Sequence, residues 1–104
     1  MSKKFDAGDP SLARFHVGAG PLAAAGKAFR VLLDEHEAGD WGEVTPEERA
    51  ANEAVLGGQP GFVTSRKTLQ GQAIVIKSEP SLQWTDVFLA PEYEQAKHLW
   101  RNKS

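Results

Sequence analysis

The texture of the chain changes once, at Gly57-Gly58-Gln59-Pro60, and this break constrains the fold more than any other feature. Before it, apolar residues recur mainly at three- and four-residue steps. After it, β-branched and aromatic residues gather in short runs separated by turn residues. A chain that groups its helices before such a break and most of its strands after it builds an α+β domain, not an alternating parallel one.

From Pro21, the positions Leu22, Ala25, Phe29, Leu32, Leu33 and His36 share one helical side, while Lys27, Arg30, Asp34 and Glu37 fall mostly elsewhere. Pro21 suits the first helical position and Gly39 the left-handed residue that closes the last turn. A second helix opens at Thr45-Pro46-Glu47-Glu48, where Thr45 caps and Glu48 reciprocates. It is expected to run to about Leu56 with Ala51, Ala54 and Val55 inward. Leu12–Val17 reads as a short strand running into Gly18-Ala19-Gly20-Pro21.

Beyond the break, Phe62–Leu69, a Gln70-Gly71 turn, Gln72–Lys77, a polar Ser78-Glu79-Pro80-Ser81 connection and Trp84–Leu89 spell a meander. Pro91 ends the last strand. Glu92–Trp100 then forms a terminal helix with Tyr93, Ala96, Lys97 and Trp100 along one side. The expected architecture is two N-terminal helices packed on a three- to four-stranded antiparallel β meander, with a short C-terminal helix.

At 104 residues and 11.3 kDa there is room for one core. Composition assigns 1–11 to a flexible N-terminus and 12–104 to a single α+β domain. With 12 Lys+Arg against 14 Asp+Glu the net charge is −2, so no global positive field exists to hold nucleic acid. Two local basic clusters are weaker than they look. Arg66 and Lys67 alternate to opposite sheet faces, and Lys97-His98-Leu99-Trp100-Arg101-Asn102-Lys103 suits the solvated end of a helix. The absence of cysteine removes disulfides, thiolate nucleophiles and Cys-ligated metals. The polar stretch Met1–Pro10 is neither a signal peptide nor a membrane anchor, and a cytoplasmic location is the expectation.

Catalytic patterns are thin. Gly18-Ala19-Gly20-Pro21-Leu22-Ala23 matches a dinucleotide fingerprint, but a second capped helix follows where a parallel strand with a ribose-binding acid belongs. His16, His36 and His98 are too scattered to suggest a metal site, and His36 reads as a half-buried packing residue whose charged form the helix dipole favours. No serine elbow, Walker loop or His-Glu-x-x-His pattern is present. No cofactor is expected.

The most unusual segment is Gly39-Asp40-Trp41-Gly42-Glu43. Trp41 between glycines is either a wedge filling the gap between helices and sheet or an anchor for a partner. On the anchor reading Asp40, Trp41, Glu43, Arg49 and Asn52 form one partner-binding patch, with Trp84 and Trp100 as further anchors. That composition points first to a non-enzymatic protein that binds a protein partner or a second copy of itself. An alternative is a small ribonuclease of the toxin type, using His98, Lys67, Arg66 and Tyr93 as acid–base and phosphate groups. Another is a small-molecule sensor with its pocket between helices and sheet.

Over roughly Ala13 to Tyr93 the chain resembles a family of short proteins carried by bacterial plasmids and other mobile elements. The likeness rests on a strand entering an Ala-rich helix, on Gly39-Asp40-Trp41-Gly42-Glu43, on Glu47-Glu48 followed by Arg49-Ala50-Ala51-Asn52, and on a meander closing with Pro91-Glu92-Tyr93. Some members carry the label of a restriction-system subunit. The label does not transfer, since this chain has neither a nucleotide-binding loop nor an Asn-Pro-Pro-aromatic pattern. The resemblance implies an accessory protein of mobile-element origin and supplies no catalytic residues.

Overall fold

A computed structural model describes residues 3–96 of the chain. The strands β1 (Arg14–Phe15), β2 (Val63–Leu69), β3 (Gln72–Glu79) and β4 (Trp84–Leu89) form one sheet in the order β1-β4-β3-β2. The pairs β2/β3 and β3/β4 are antiparallel, as the meander requires. The expectation of a wholly antiparallel sheet fails at one pair: β1 runs parallel to β4, Arg14 beside Asp86 and Phe15 beside Val87. A tight turn would force neighbours to be antiparallel. β1 instead reaches β4 through both helices and the hairpin, a connection long enough to permit the parallel direction.

Among the described residues three α-helices complete the α+β fold: α1 (Gly26–Ala38), α2 (Pro46–Leu56) and α3 (Ala90–Ala96). α1 begins at Gly26 instead of Pro21, because Val17–Ala24 winds as a 3-10 helix with Pro21 inside it. Two glycines and a proline that lacks an N–H weaken α-propagation there. Gly39 closes α1 as expected, with φ +94° and its N–H on the carbonyls of Glu35 and His36. The capping box of α2 is present, Thr45 Oγ1 accepting from the Glu48 N–H and Glu48 Oε1 from the Thr45 N–H.

The expected inward face of α2 is corrected. Ala51 and Ala54 are exposed and Val55 is half-buried, while Asn52 is buried, with Glu48 and Leu56 half-buried beside it. The helix lies along the edge of β2, where a polar residue is needed to meet strand backbone. β3 extends to Glu79, and the connection shortens to a 3-10 turn at Pro80–Leu82. Ser78 belongs to the strand because its hydroxyl has partners in the interior. α3 takes Pro91 into its first turn and buries Tyr93; Lys97 and Trp100 lie outside the described residues.

The sheet separates two cores. On one face Leu69, Ile74, Ile76 and Val87 pack with Leu22, Phe29 and Leu33; on the other Val75 and Phe88 pack with Tyr93. The segment expected to be a flexible terminus joins the first core through Phe5 and Ala7, and Ala7 is 2% exposed. No helix among the described residues is long and apolar enough to cross a membrane.

Candidate functional site

The residues nominated around Trp41 do come together, but mostly as structure. β2 is an edge strand whose even-numbered residues turn their backbone away from β3. At Thr64 this outer edge is met by Asn52, whose Nδ2 donates to the Thr64 carbonyl at 2.8 Å and whose Oδ1 accepts the Thr64 N–H at 2.8 Å. At Arg66 it is met by the interhelical loop: the Arg66 N–H donates to the Trp41 carbonyl at 2.9 Å, and the Glu43 N–H donates to the Arg66 carbonyl at 3.1 Å. Gly42 is required between them, because with φ +71° a Cβ there would lie 2.1 Å from the Arg66 carbonyl oxygen. The Gly-Asp-Trp-Gly block and the Asn of Arg49-Ala50-Ala51-Asn52 thus close one sheet edge together.

Trp41 is 4% exposed, so its ring is buried and is not presented at the surface as the anchor reading requires. Its indole Nε1 has no hydrogen-bond partner, and the exposed Arg49 guanidinium lies 5.5 Å from the ring centroid. Asn52 is 0% exposed and is likewise no contact residue. Asp40 and Glu43 are exposed, Asp40 pairing with Lys67 at 3.2 Å. Trp100 lies outside the described residues.

The groups of the ribonuclease reading are divided. Lys67 points to the α1 face and is held by Glu35 at 2.8 Å. Arg66 points to the other face, bound through two nitrogens by Glu48 and stacked 5.5 Å over Tyr93. Burial raises the Glu48 carboxyl, but the Arg66 hydrogen bonds, the Thr45 N–H and the charges of Arg66 and Lys77 outweigh it and hold the group below its ordinary value. His98 lies outside the described residues. Next to Tyr93, Lys77 is buried with its amine on Thr64 Oγ1 at 2.9 Å and the Tyr93 hydroxyl at 3.2 Å. Desolvation pushes this amine down to about 8.

Sequence reasoning missed the row that extends along the same face. Asp86, 0% exposed, accepts from Arg14 Nε at 2.8 Å and Arg14 Nη2 at 3.0 Å, and His16 Nε2 lies 3.5 Å away. His16 stacks on Phe88 with centroids 3.9 Å apart. At the other end the Arg14 guanidinium covers the Trp84 ring at 4.4 Å. Among the nominated aromatics that lie in the described residues, Trp84 is accessible, at 39% exposure, and the large apolar residues Leu12 and Leu82 are exposed as well. A signal was available: Asp86 is a lone acid in the apolar run Trp84–Leu89, and such an acid needs a cation on a neighbouring strand.

His36 is corrected from half-buried and charged to fully buried and neutral. Burial, reinforced by the Lys67 charge, pushes it down to about 3. Ser65 Oγ lies 2.5 Å from Nδ1 and Ser78 Oγ 2.9 Å from Nε2. The Thr85 hydroxyl donates to the Ala7 carbonyl, so Ser78 donates to Thr85, and Nε2–H must donate to Ser78. The ring is therefore the Nε2–H tautomer, with Nδ1 accepting from Ser65. This serine–histidine pair is sealed from solvent and cannot serve a substrate.

In the fingerprint-like segment the Gly18 N–H that could face a phosphate is taken by Glu92 Oε2 at 2.7 Å. Among the described residues no group of three or more acids and histidines could hold a metal. Compared with protein-family models, with curated proteins and with solved structures, the chain finds no match.

Proposed function

We propose that the chain is a small non-enzymatic accessory protein of mobile-element origin, acting in the cytoplasm by binding a protein partner. The observation that carries this reading is Trp84: a large aromatic left 39% exposed on a four-stranded sheet, backed at 4.4 Å by an arginine whose charge Asp86 already holds. Tryptophan and arginine are the residues most enriched where interfaces concentrate their energy, and a ring fixed by stacking loses little freedom on binding. Leu12 and Leu82, 74% and 60% exposed, are further large apolar side chains open to solvent, and both precede the paired strands β1 and β4 in sequence. The partner is expected to offer an apolar pocket to the indole. The paired state of Arg66, Lys67 and Arg14 supports the non-enzymatic reading, since each would have to leave a carboxylate to hold phosphate.

Native mass spectrometry of gently purified wild type and Trp84→Ser tests this. Wild type should retain a protein in whole-number stoichiometry and the variant should not, while its melting temperature stays within a few degrees of wild type. Equal retention by both, or none by wild type, contradicts the reading. A small-molecule sensor has one observation in its favour, an open groove of about 540 Å³ between Phe15, Phe29, Lys27 and Arg30. The same spectra decide it, through an added mass of small-molecule size.

A further inference from the structure

The N-terminal arm is held by more than apolar packing. Ala7 is gripped at both ends of its backbone by side chains: Glu37 Oε2 accepts its N–H at 2.7 Å, and the Thr85 hydroxyl donates to its carbonyl at 2.7 Å. Glu37 and Thr85 are themselves 3% and 2% exposed. Behind them Ser65, His36 and Ser78 form a buried hydrogen-bonded chain that leads through Thr85 to the Ala7 carbonyl. An arm merely covering an apolar core would need none of these groups, whose burial is unfavourable unless each finds a partner.

The neighbouring positions add side-chain discrimination. The Phe5 ring stands edge-on to His36 with centroids 5.1 Å apart, and Asp6 accepts from Gln83 Nε2 at 3.1 Å. Ala7 sits within the core cluster at 2% exposure, where a long or charged side chain would have to displace buried neighbours. Gly8 has φ +89°, and a Cβ there would lie 2.1 Å from the Gln83 carbonyl oxygen. The aromatic, the alanine and the glycine each meet a different feature of the groove, while the exposed Asp6 meets Gln83 at its rim and accepts the Gly8 N–H at 2.8 Å, which shapes the segment itself.

We propose that this groove, between the C-terminal turn of α1 and the start of β4, recognises a short peptide segment of a protein partner and is filled at rest by residues 5–8 of the same chain. The ligand class is an aromatic–acidic–alanine–glycine segment. Main-chain gripping by Glu37 and Thr85 supplies affinity, and the pockets around it supply specificity, as in other peptide-recognition sites. Gln83 adjoins Trp84, so this inference rests on the protein-binding reading above and specifies the partner's chemistry. The tethered arm competes at high effective concentration, so the partner segment enters when the arm swings out about the 3-10 turn at Pro10–Leu12.

The test uses a fluorescein-labelled peptide with the sequence of residues 2–10, titrated by anisotropy into full-length wild type and Gly8→Val, in which the added side chain expels the arm. Gly8→Val should bind saturably and about ten-fold or more tighter than wild type, and an Ala7→Arg peptide should lose about ten-fold. A folded Gly8→Val that ignores the peptide, or binds both peptides equally, overturns the proposal. Should Gly8→Val fail to fold, amide exchange in wild type decides. The Lys4 and Ala7 amides should exchange about a hundred-fold faster than those of Val75 and Ile76, because the arm opens alone. Equal rates make the arm an inseparable part of the core and overturn it. A dimer whose arm crosslinks into the groove of a second copy, with no peptide complex, also overturns it in favour of self-association. Peptide binding that survives while Trp84→Ser retains its partner defeats the Trp84 surface and leaves the groove standing.

Discussion

The two edges of the sheet are finished in opposite ways. At the β2 edge the outward N–H and C=O of Thr64 and Arg66 are all bonded, by the Asn52 side chain and by the backbone from Trp41 to Glu43. At the other edge β1 is two residues long, and its Arg14 covers the ring of the exposed Trp84 on β4. An uncovered edge strand is a template for unwanted pairing, so the first edge reads as protection. The second is kept short and carries a stacked Trp–Arg pair instead. The sequence block that looks most like a binding motif therefore does a structural task, and an ordinary-looking strand end carries the candidate contact surface.

Substitutions can break this contrast. Trp41→Ala should destabilise by about 3–5 kcal/mol, the range for removing a large buried aromatic, read as a lower urea midpoint at unchanged slope. A small change would return Trp41 to the role of surface anchor. Asn52→Leu leaves the Thr64 N–H and C=O unpaired and should cost about 2–4 kcal/mol, with increased self-association through β2. Sedimentation velocity would detect the second effect, and a variant that stays as stable and as monodisperse as wild type would remove the edge-closing role.

A pH series sharpens the account of the interior between the edges. His36 is held at about 3 in the fold against an ordinary 6.5, so the unfolded chain binds a proton that the folded chain refuses. Its contribution is complete above pH 6.5 and is lost as pH falls toward 3. Between pH 6 and 5, above the ordinary carboxylate range, urea stability should fall by about 1 kcal/mol, approaching the full 1.4 kcal/mol per unit lower down. A flat profile there would mean that His36 accepts a proton in place. The smallest effect belongs to Trp84→Ala, with about 0.5 kcal/mol in stability yet complete loss of retained partner. A large stability loss would make Trp84 a packing residue.

Much of the fold was legible because its signals are local. The capping box at Thr45 and Glu48, the Gly39 helix stop and the Gln70-Gly71 turn each specify structure within a few residues. What escaped depends on residues far apart in sequence. The parallel pairing of Arg14 with Asp86, the bond of Asn52 to Thr64 and the grip of Glu37 and Thr85 on Ala7 leave no periodic trace. Glu37 looked solvent-facing because helical spacing counts charge as outward, whereas here the arm supplies a donor that lets a carboxylate turn in. The site residues were nominated by composition. Composition alone could not separate Trp41, which closes an edge, from Trp84, which remains accessible.

Amide hydrogen exchange resolved along β2 tests the central contrast most directly. With the edge closed by Asn52 and the Trp41–Glu43 backbone, the Thr64 and Arg66 amides should be protected nearly as well as Val75 in central β3, while the outward Thr68 amide, just past the closure, exchanges orders of magnitude faster. Rapid exchange at Thr64 and Arg66 equal to that at Thr68 would mean an open edge, and would return the Gly-Asp-Trp-Gly block to the role of a binding motif.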